Sequence, residues 1–177
     1  MLRFDFNNFS LLEAADILKV EDLVNQQINK NIDVITKEMP IDEAKKLGVQ
    51  AVFGEKYGNI VRVVDMDFSK ELCGGTHVSN TKEIENFAIL NIESKGSGIF
   101  RITAATGNRI KEALEEELAS IIKEISLLEN KAKEILDNAK ENNIQLQFVS
   151  VEKPQLNSSY QTIIDYRQYI ENLKEQV

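Results

Sequence analysis

Apolar and polar positions alternate at the start of the chain, where Arg3-Phe4-Asp5-Phe6 reads as a strand. Ser10 followed by Glu13 is a capping-box signal. The helix it opens carries Leu11, Leu12, Ala15, Ile17, Leu18, Leu23, Val24 and Ile28 at helical spacing and ends near Asn31. Asp33 to Glu38 reads as a strand, and Ile41 to Leu47 as a short helix stopped by Gly48. Gln50-Ala51-Val52-Phe53 reads as a short extended piece. Turn chemistry at Tyr57-Gly58-Asn59 then leads into the β-branched strand Ile60 to Asp65. Phe87 to Ile92 is almost continuously apolar, the pattern of a strand buried on both faces. Gly96-Ser97-Gly98 signals a hairpin. The returning strand, Ile99 to Ala105, places Phe100, Ile102 and Ala104 on one face and Arg101 on the other.

The periodicity changes after Gly107. Asn108 is a candidate cap, and Leu114, Leu118, Ile121, Ile125, Leu128, Ala132, Ile135 and Ala139 follow at alternating spacings of four and three. That heptad seam predicts a coiled-coil-like helix of about 33 residues, roughly 50 Å long; a helix lying on its own domain is the other reading. Residues 145–151 alternate like a strand, and Tyr160 to Leu173 reads as a second, shorter helix that can fold back over about half of the stripe. The pattern predicts an α+β fold, an antiparallel-rich sheet with helices followed by a long helix. The expected divisions are 1–107, 108–142 and 143–177.

Composition narrows the functional classes. The chain has 177 residues, 42% hydrophobic and 28% charged, which is ordinary for a globular protein. No apolar run reaches the length of a membrane span, and the first residues lack a signal-peptide pattern. A single cysteine excludes an internal disulfide, so a cytoplasmic location is expected. Lys plus Arg number 21 against 29 for Asp plus Glu, a net charge of −8, which argues against a broad electrostatic grip on nucleic acid but leaves room for a local RNA-end site.

The only cysteine and the only histidine lie four apart, in Cys73-Gly74-Gly75-Thr76-His77. The two glycines permit a tight reversal that turns both side chains toward one point. Thiolate and imidazole suit zinc. A structural cysteine beside an unrelated histidine remains the alternative, and a Cys-His nucleophilic pair is a poorer third reading, because no acid-orienting element is evident.

The stretch Asp67-Phe68-Ser69-Lys70-Glu71-Leu72-Cys73-Gly74-Gly75-Thr76-His77-Val78 resembles the signature of the editing domain of alanyl-tRNA synthetases. Three further segments agree in order: Leu2-Arg3-Phe4-Asp5-Phe6, Phe53-Gly54-Glu55-Lys56-Tyr57 before Val61-Arg62-Val63, and Gly96-Ser97-Gly98-Ile99-Phe100-Arg101-Ile102 closing with Ala105-Thr106-Gly107; Glu21-Asp22-Leu23-Val24-Asn25 also resembles the family helix. The resemblance covers about residues 2 to 107 and implies a partial two-layer editing domain. It implies hydrolysis of tRNA(Ala) wrongly charged with serine or glycine, a task required because a site shaped for alanine discriminates weakly against both. ATP and magnesium would serve an N-terminal catalytic domain that ligates alanine and is absent here. In the family a His-x-x-x-His motif and the Cys-x-x-x-His motif together hold zinc; the second maps onto Cys73 and His77. The first lies upstream of the Arg-Phe-Asp-Phe strand, so the chain is expected to be a truncated form, inactive alone, with zinc absent, weak or completed by another molecule.

The resemblance also suggests individual roles. Cys73 and His77 are expected as metal ligands. Thr76 can set its hydroxyl near the serine of the substrate, or make a turn hydrogen bond. Asp67 or Glu71 can orient the imidazole, or stand solvated. Arg101 can meet a phosphate of the tRNA acceptor end, or form an internal ion pair. The Gly54-Glu55-Lys56 turn can hold RNA, or serve only as a turn. Competing readings are a stand-alone deacylase of mischarged tRNA(Ala), the related threonyl-tRNA synthetase editing domain, and an inactive oligomerisation and RNA-positioning piece. A homodimer through the 108–142 helix is expected.

Overall fold

A computed structural model describes residues 1–50, 58–149 and 151–177. In chain order the elements are β1 (Leu2–Asn7), α1 (Ala14–Asn29), β2 (Ile35–Pro40), α2 (Ile41–Lys46), β3 (Ile60–Asp65), β4 (Lys70–Leu72), β5 (Phe87–Gly96), β6 (Ile99–Thr106), α3 (Arg109–Glu141) and α4 (Gln161–Gln176). They form the expected α+β fold with two antiparallel sheets, ordered β1-β6-β5 and β2-β3-β4. Most of the expected Gln50 to Phe53 extension, the start of the Tyr57 turn and the Gly54-Glu55-Lys56 turn lie outside the described residues.

The chain divides into two compact units, residues 1–22 with 86–177, and residues 23–85. α3 lies on β5 and β6, and α4 lies on α3, so both helices join the unit that holds the first sheet.

In that unit β1 pairs with β6 from Leu2↔Ala104 to Asn7↔Ile99. Phe87, Ala88, Ile89 and Leu90 are all buried, so β5 is covered on both faces as its apolar run predicts. The hairpin after β5 has Gly96, Ser97 and Gly98 all at positive φ. α3 runs for 33 residues, matching the length read from the seam, although Asn108 makes no side-chain cap. Leu114, Leu118, Ile125, Ala132 and Ala139 are buried. α4 packs against α3, and its own buried row is Ile163, Tyr166, Ile170 and Leu173, at helical spacing. The neighbouring row is less covered, with Ile135 38% exposed and Leu127 beside it 63% exposed. Tyr169 donates its hydroxyl to Glu129 at 3.1 Å, which together with burial raises the phenol's pKa, burial being the larger cause. Lys174 pairs with Glu124 at 3.3 Å.

The start of α4 is fixed at the first sheet. Glu21 of α1 is only 5% exposed, and its carboxylate accepts from the Ile89 amide at 2.8 Å, the Tyr160 amide at 2.9 Å and the Ser159 hydroxyl. One acidic side chain thereby joins α1, β5 and the N-terminus of α4, where a negative charge is favourable.

Three local expectations are corrected. The first helix starts at Ala14, and Glu13 supplies the first accepting carbonyl, to the amides of Asp16 and Ile17; Ser10 lies outside it and caps nothing. The capping box forms instead at Asn80 and Glu83, around the short 3-10 turn Thr81–Ile84. Residues 145–149 are not a strand: no ladder partner lies beside them among the described residues, and the Val149 amide donates to the Gln176 side chain at 2.9 Å. Alternation predicts a face, but a strand also needs a neighbour.

The second unit centres on β3. Val61 and Val63 pack with Ala44 of α2, and Met39, Ile41, Val49 and Leu72 surround them. β2 pairs with β3 from Ile35↔Asp65 to Pro40↔Ile60. Thr81 ties the 3-10 turn to the end of α1, donating to the Ile28 carbonyl at 3.2 Å and accepting from the Ile32 amide at 2.9 Å. No helix among the described residues is long and apolar enough to cross a membrane.

Candidate functional site

Cys73, Thr76 and His77 lie on one loop of the second unit, directly after β4. The β3–β4 ladder runs Asp65↔Lys70, Val64↔Glu71 and Val63↔Leu72. One further step is made by the Cys73 amide, which donates to the Arg62 carbonyl at 3.2 Å. Cys73 therefore stands opposite Arg62, on the face of the sheet away from Val61 and Val63. Its side chain is half-buried, and the residues from Gly74 to Ser79 are exposed. At the other end of β4, Lys70 hydrogen-bonds Asp65 and holds that carboxyl below its ordinary range.

The loop's shape does not come from its glycines. Neither Gly74 nor Gly75 has positive φ. A Cβ at Gly74 would meet nothing within 4 Å, and one at Gly75 would make only an ordinary contact with Cys73 Sγ at 3.6 Å. The loop thus uses no backbone conformation that requires glycine. The geometry comes from Arg62, whose Nη1 donates to the Cys73 carbonyl at 2.9 Å and to the Gly75 carbonyl at 2.5 Å. Sequence reasoning gave Arg62 no role. The available signal was one cation inside the otherwise apolar run Ile60-Val61-Arg62-Val63-Val64.

The far end of the loop is also anchored. The Ser79 carbonyl accepts from the Val34 amide at 2.8 Å. The Glu83 carboxylate accepts from the Ser79 and Asn80 amides, each at 3.0 Å, and from the Ser79 hydroxyl. The Ser79 hydroxyl is the main reason that the Glu83 carboxyl lies below its usual range. Between the anchors, Thr76 and His77 are exposed, and among the described residues neither makes a side-chain hydrogen bond. The turn hydrogen bond that offered the alternative account of Thr76 is therefore not made among them. Glu71 accepts from the Ser69 hydroxyl at 2.9 Å, and the Asp67 amide donates to Asp65 at 3.0 Å; neither residue meets His77 among the described residues.

Cys73 and His77 supply two donors of the kinds zinc prefers. Among the described residues no group of three or more His, Cys, Asp or Glu side chains gathers that could hold a metal. Two donors fall short of the three protein ligands of a catalytic zinc, so the described residues do not complete such a site.

Arg101 belongs to the other unit. Its guanidinium grips Asp5 through Nε at 2.7 Å and Nη2 at 2.8 Å, the internal ion pair that was the alternative to a phosphate contact. The pair lowers the Asp5 pKa and raises that of Arg101, the hydrogen bond being the largest cause for each. The cleft beside it holds Arg3, Lys95 and Arg101 against Glu93, Glu116 and Glu117, so it carries no excess of positive charge for a nucleic acid.

Residues 61–103, which include the whole Cys73–His77 loop, match the family described as the threonyl and alanyl tRNA synthetase second additional domain. The chain is 44% identical to an alanine–tRNA ligase of Acholeplasma laidlawii, over 97% of this chain and 19% of the relative. It is 48% identical to alanine–tRNA ligase 1 of Lachnoclostridium phytofermentans, over 76% of this chain and 17% of the relative. An alanine–tRNA ligase of Leptospira borgpetersenii is also 48% identical, over 77% of this chain and 15% of the relative. The chain thus spans a fifth or less of the length of these relatives.

Proposed function

The chain belongs to the alanyl-tRNA synthetase family, and on that premise we propose that it forms part of the hydrolytic site that clears tRNA(Ala) mischarged with serine or glycine. The observation that carries this reading is the loop from Cys73 to Ser79. It is anchored at both ends, it presents Thr76 and His77 to solvent beside the half-buried thiol, and it lies within the stretch matched to the second additional domain. Cys73 and His77 are assigned as two zinc donors, the remaining donors coming from outside the described residues.

The chain's own residues then have separable tasks. Thr76, whose hydroxyl has no partner among the described residues, is available to hydrogen-bond the hydroxyl that distinguishes a serine ester from an alanine ester. Gly74, with open space where a Cβ would stand, lets the 3′ end of the tRNA come close to the backbone. The substrate in this reading is the tRNA(Ala) acceptor end. ATP-dependent ligation of alanine is assigned to the parts of such a synthetase that this segment does not match.

The test is Cys73→Ala in a synthetase carrying this segment. Deacylation of Ser-tRNA(Ala) should be lost while alanine activation persists, and the 177-residue chain alone should deacylate negligibly. Editing that survives Cys73→Ala, or vigorous deacylation by the chain alone, contradicts the reading.

A further inference from the structure

The glycines of the Cys73–His77 loop stand in ordinary backbone conformations, and no side chain of the loop's exposed centre holds it from within. A loop of that kind keeps a fixed shape only if something outside it does the holding. Arg62 is placed to do so. It sits on the central strand of its sheet, laddered to Glu38 of β2 on one side and one step beyond the β3–β4 ladder on the other. Its carbonyl takes the Cys73 amide, and its Nη1 reaches the carbonyls of Cys73 and Gly75. Three hydrogen bonds from one residue thus fix both the departure of the chain from β4 and the turn two residues later. The two made by the guanidinium are charge-assisted, hence stronger than bonds between neutral groups.

We propose that Arg62 is the positioning residue of the site: through the Cys73 and Gly75 carbonyls it sets the direction of the thiol and the approach of the chain to Thr76 and His77. This deepens the functional reading above and rests on it for the word "site"; the shaping of the loop is measurable without it. Arg62 touches no substrate in this account and acts only through the loop. Glu83 holds the other end, so a loop released by Arg62 swings about a fixed point at Ser79.

Cys73 is the only cysteine, so alkylation by iodoacetamide reads this one position in the whole chain. In Arg62→Gln the alkylation rate should rise at least about tenfold, because two charge-assisted hydrogen bonds are lost and each is worth about that factor or more. Backbone 15N order parameters from Gly74 to His77 should fall, while those of β2 stay unchanged. Arg62→Lys, which retains a cationic donor, should recover part of both effects. Val63→Ala is the control: it weakens the same strand through a buried side chain on the opposite face, packed with Ala44, and should leave the alkylation rate as it was. An Arg62→Gln rate within twofold of the unmutated chain overturns the proposal. So does a Val63→Ala chain that reacts as fast as Arg62→Gln, because the effect would then be general loosening. Failure of the editing reading would appear separately, as undiminished Ser-tRNA(Ala) deacylation in the Cys73→Ala synthetase, and would leave these loop measurements readable.

Discussion

Replacing Glu21 with alanine removes an acceptor shared by three donors. The Ile89 and Tyr160 amides, on residues 0% and 3% exposed, lose their partner in the interior, whereas the Ser159 hydroxyl can rotate toward water. Each stranded buried amide costs about 1–3 kcal/mol. Loss of a negative charge from the first turn of α4 adds roughly 0.3–1 kcal/mol. The sum is about 2–7 kcal/mol, a large part of the roughly 5–15 kcal/mol that holds a typical domain together. The assay is urea unfolding followed by tyrosine fluorescence. The chain has four tyrosines and no tryptophan, and Tyr160, Tyr166 and Tyr169 lie in or at the start of α4, so the emission reports the docking of that helix. Glu21→Ala should move the tyrosine transition to lower urea. Glu21→Gln can keep its oxygen on the Ile89 and Tyr160 amides, which share Oε2, and turns N–H2 toward the Ser159 hydroxyl, so it should fall between. A cost below about 1 kcal/mol for Glu21→Ala would show that α4 is held by its apolar face alone and refute the reasoning.

Three further outcomes are expected. Gly74→Ala should change stability by no more than about 0.5 kcal/mol, because its Cβ enters open space, yet reduce deacylation in a synthetase carrying this segment; thermal melts beside single-turnover deacylation separate the two. The Asp5 pKa is lowered by Arg101, so the folded state gains from this pair above the ordinary carboxyl value of 3.8 and loses that gain as the pH falls through the lowered one; the Asp5 carboxyl resonance in Arg101→Gln should titrate higher than in the unmutated chain. Ile121, Leu128 and Ile135 are less covered by α4 than the row beside them, so a homodimer through α3 should be split by Leu128→Lys in sedimentation velocity, and a concentrated unmutated chain that sediments as a monomer would dispose of the dimer.

The elements most readable in the sequence were those whose signal is periodic and whose partner is strong. The continuous run at Phe87, the glycine-flanked hairpin at Ser97 and the seam from Leu114 to Ala139 each appear where the pattern puts them. Capping was misread because Ser10-x-x-Glu13 and Asn80-x-x-Glu83 have the same local form. Only the second has Val34 and Asp33 beside it to fix the approach of the chain. The strand read at 145–151 failed for want of a neighbour, which no local pattern encodes. The candidate loop was legible in the sequence through its Cys73 and His77, but its support was not: the reach from Arg62 to the carbonyls of Cys73 and Gly75 depends on the β3–β4 register, and the loop's sequence alone pointed to the glycines instead.

The pairing of β1 with β6 has a consequence for how the chain is made. Among the described residues β1 finds its ladder partner in a strand about a hundred residues later, whereas β2, β3 and β4 lie close together in sequence between them. At about 5–20 residues per second of synthesis, β1 waits on the order of 5–20 seconds for its partner. During that interval Phe4 and Phe6, which stack on one another in the finished sheet, have no Phe100 to lie against. The inserted unit, continuous from residue 23 to residue 85, can by contrast complete its own core before β6 exists. Birth order therefore runs from the middle outward, and the charges at Arg3 and Asp5 keep the waiting strand in solution until Arg101 arrives to claim one of them.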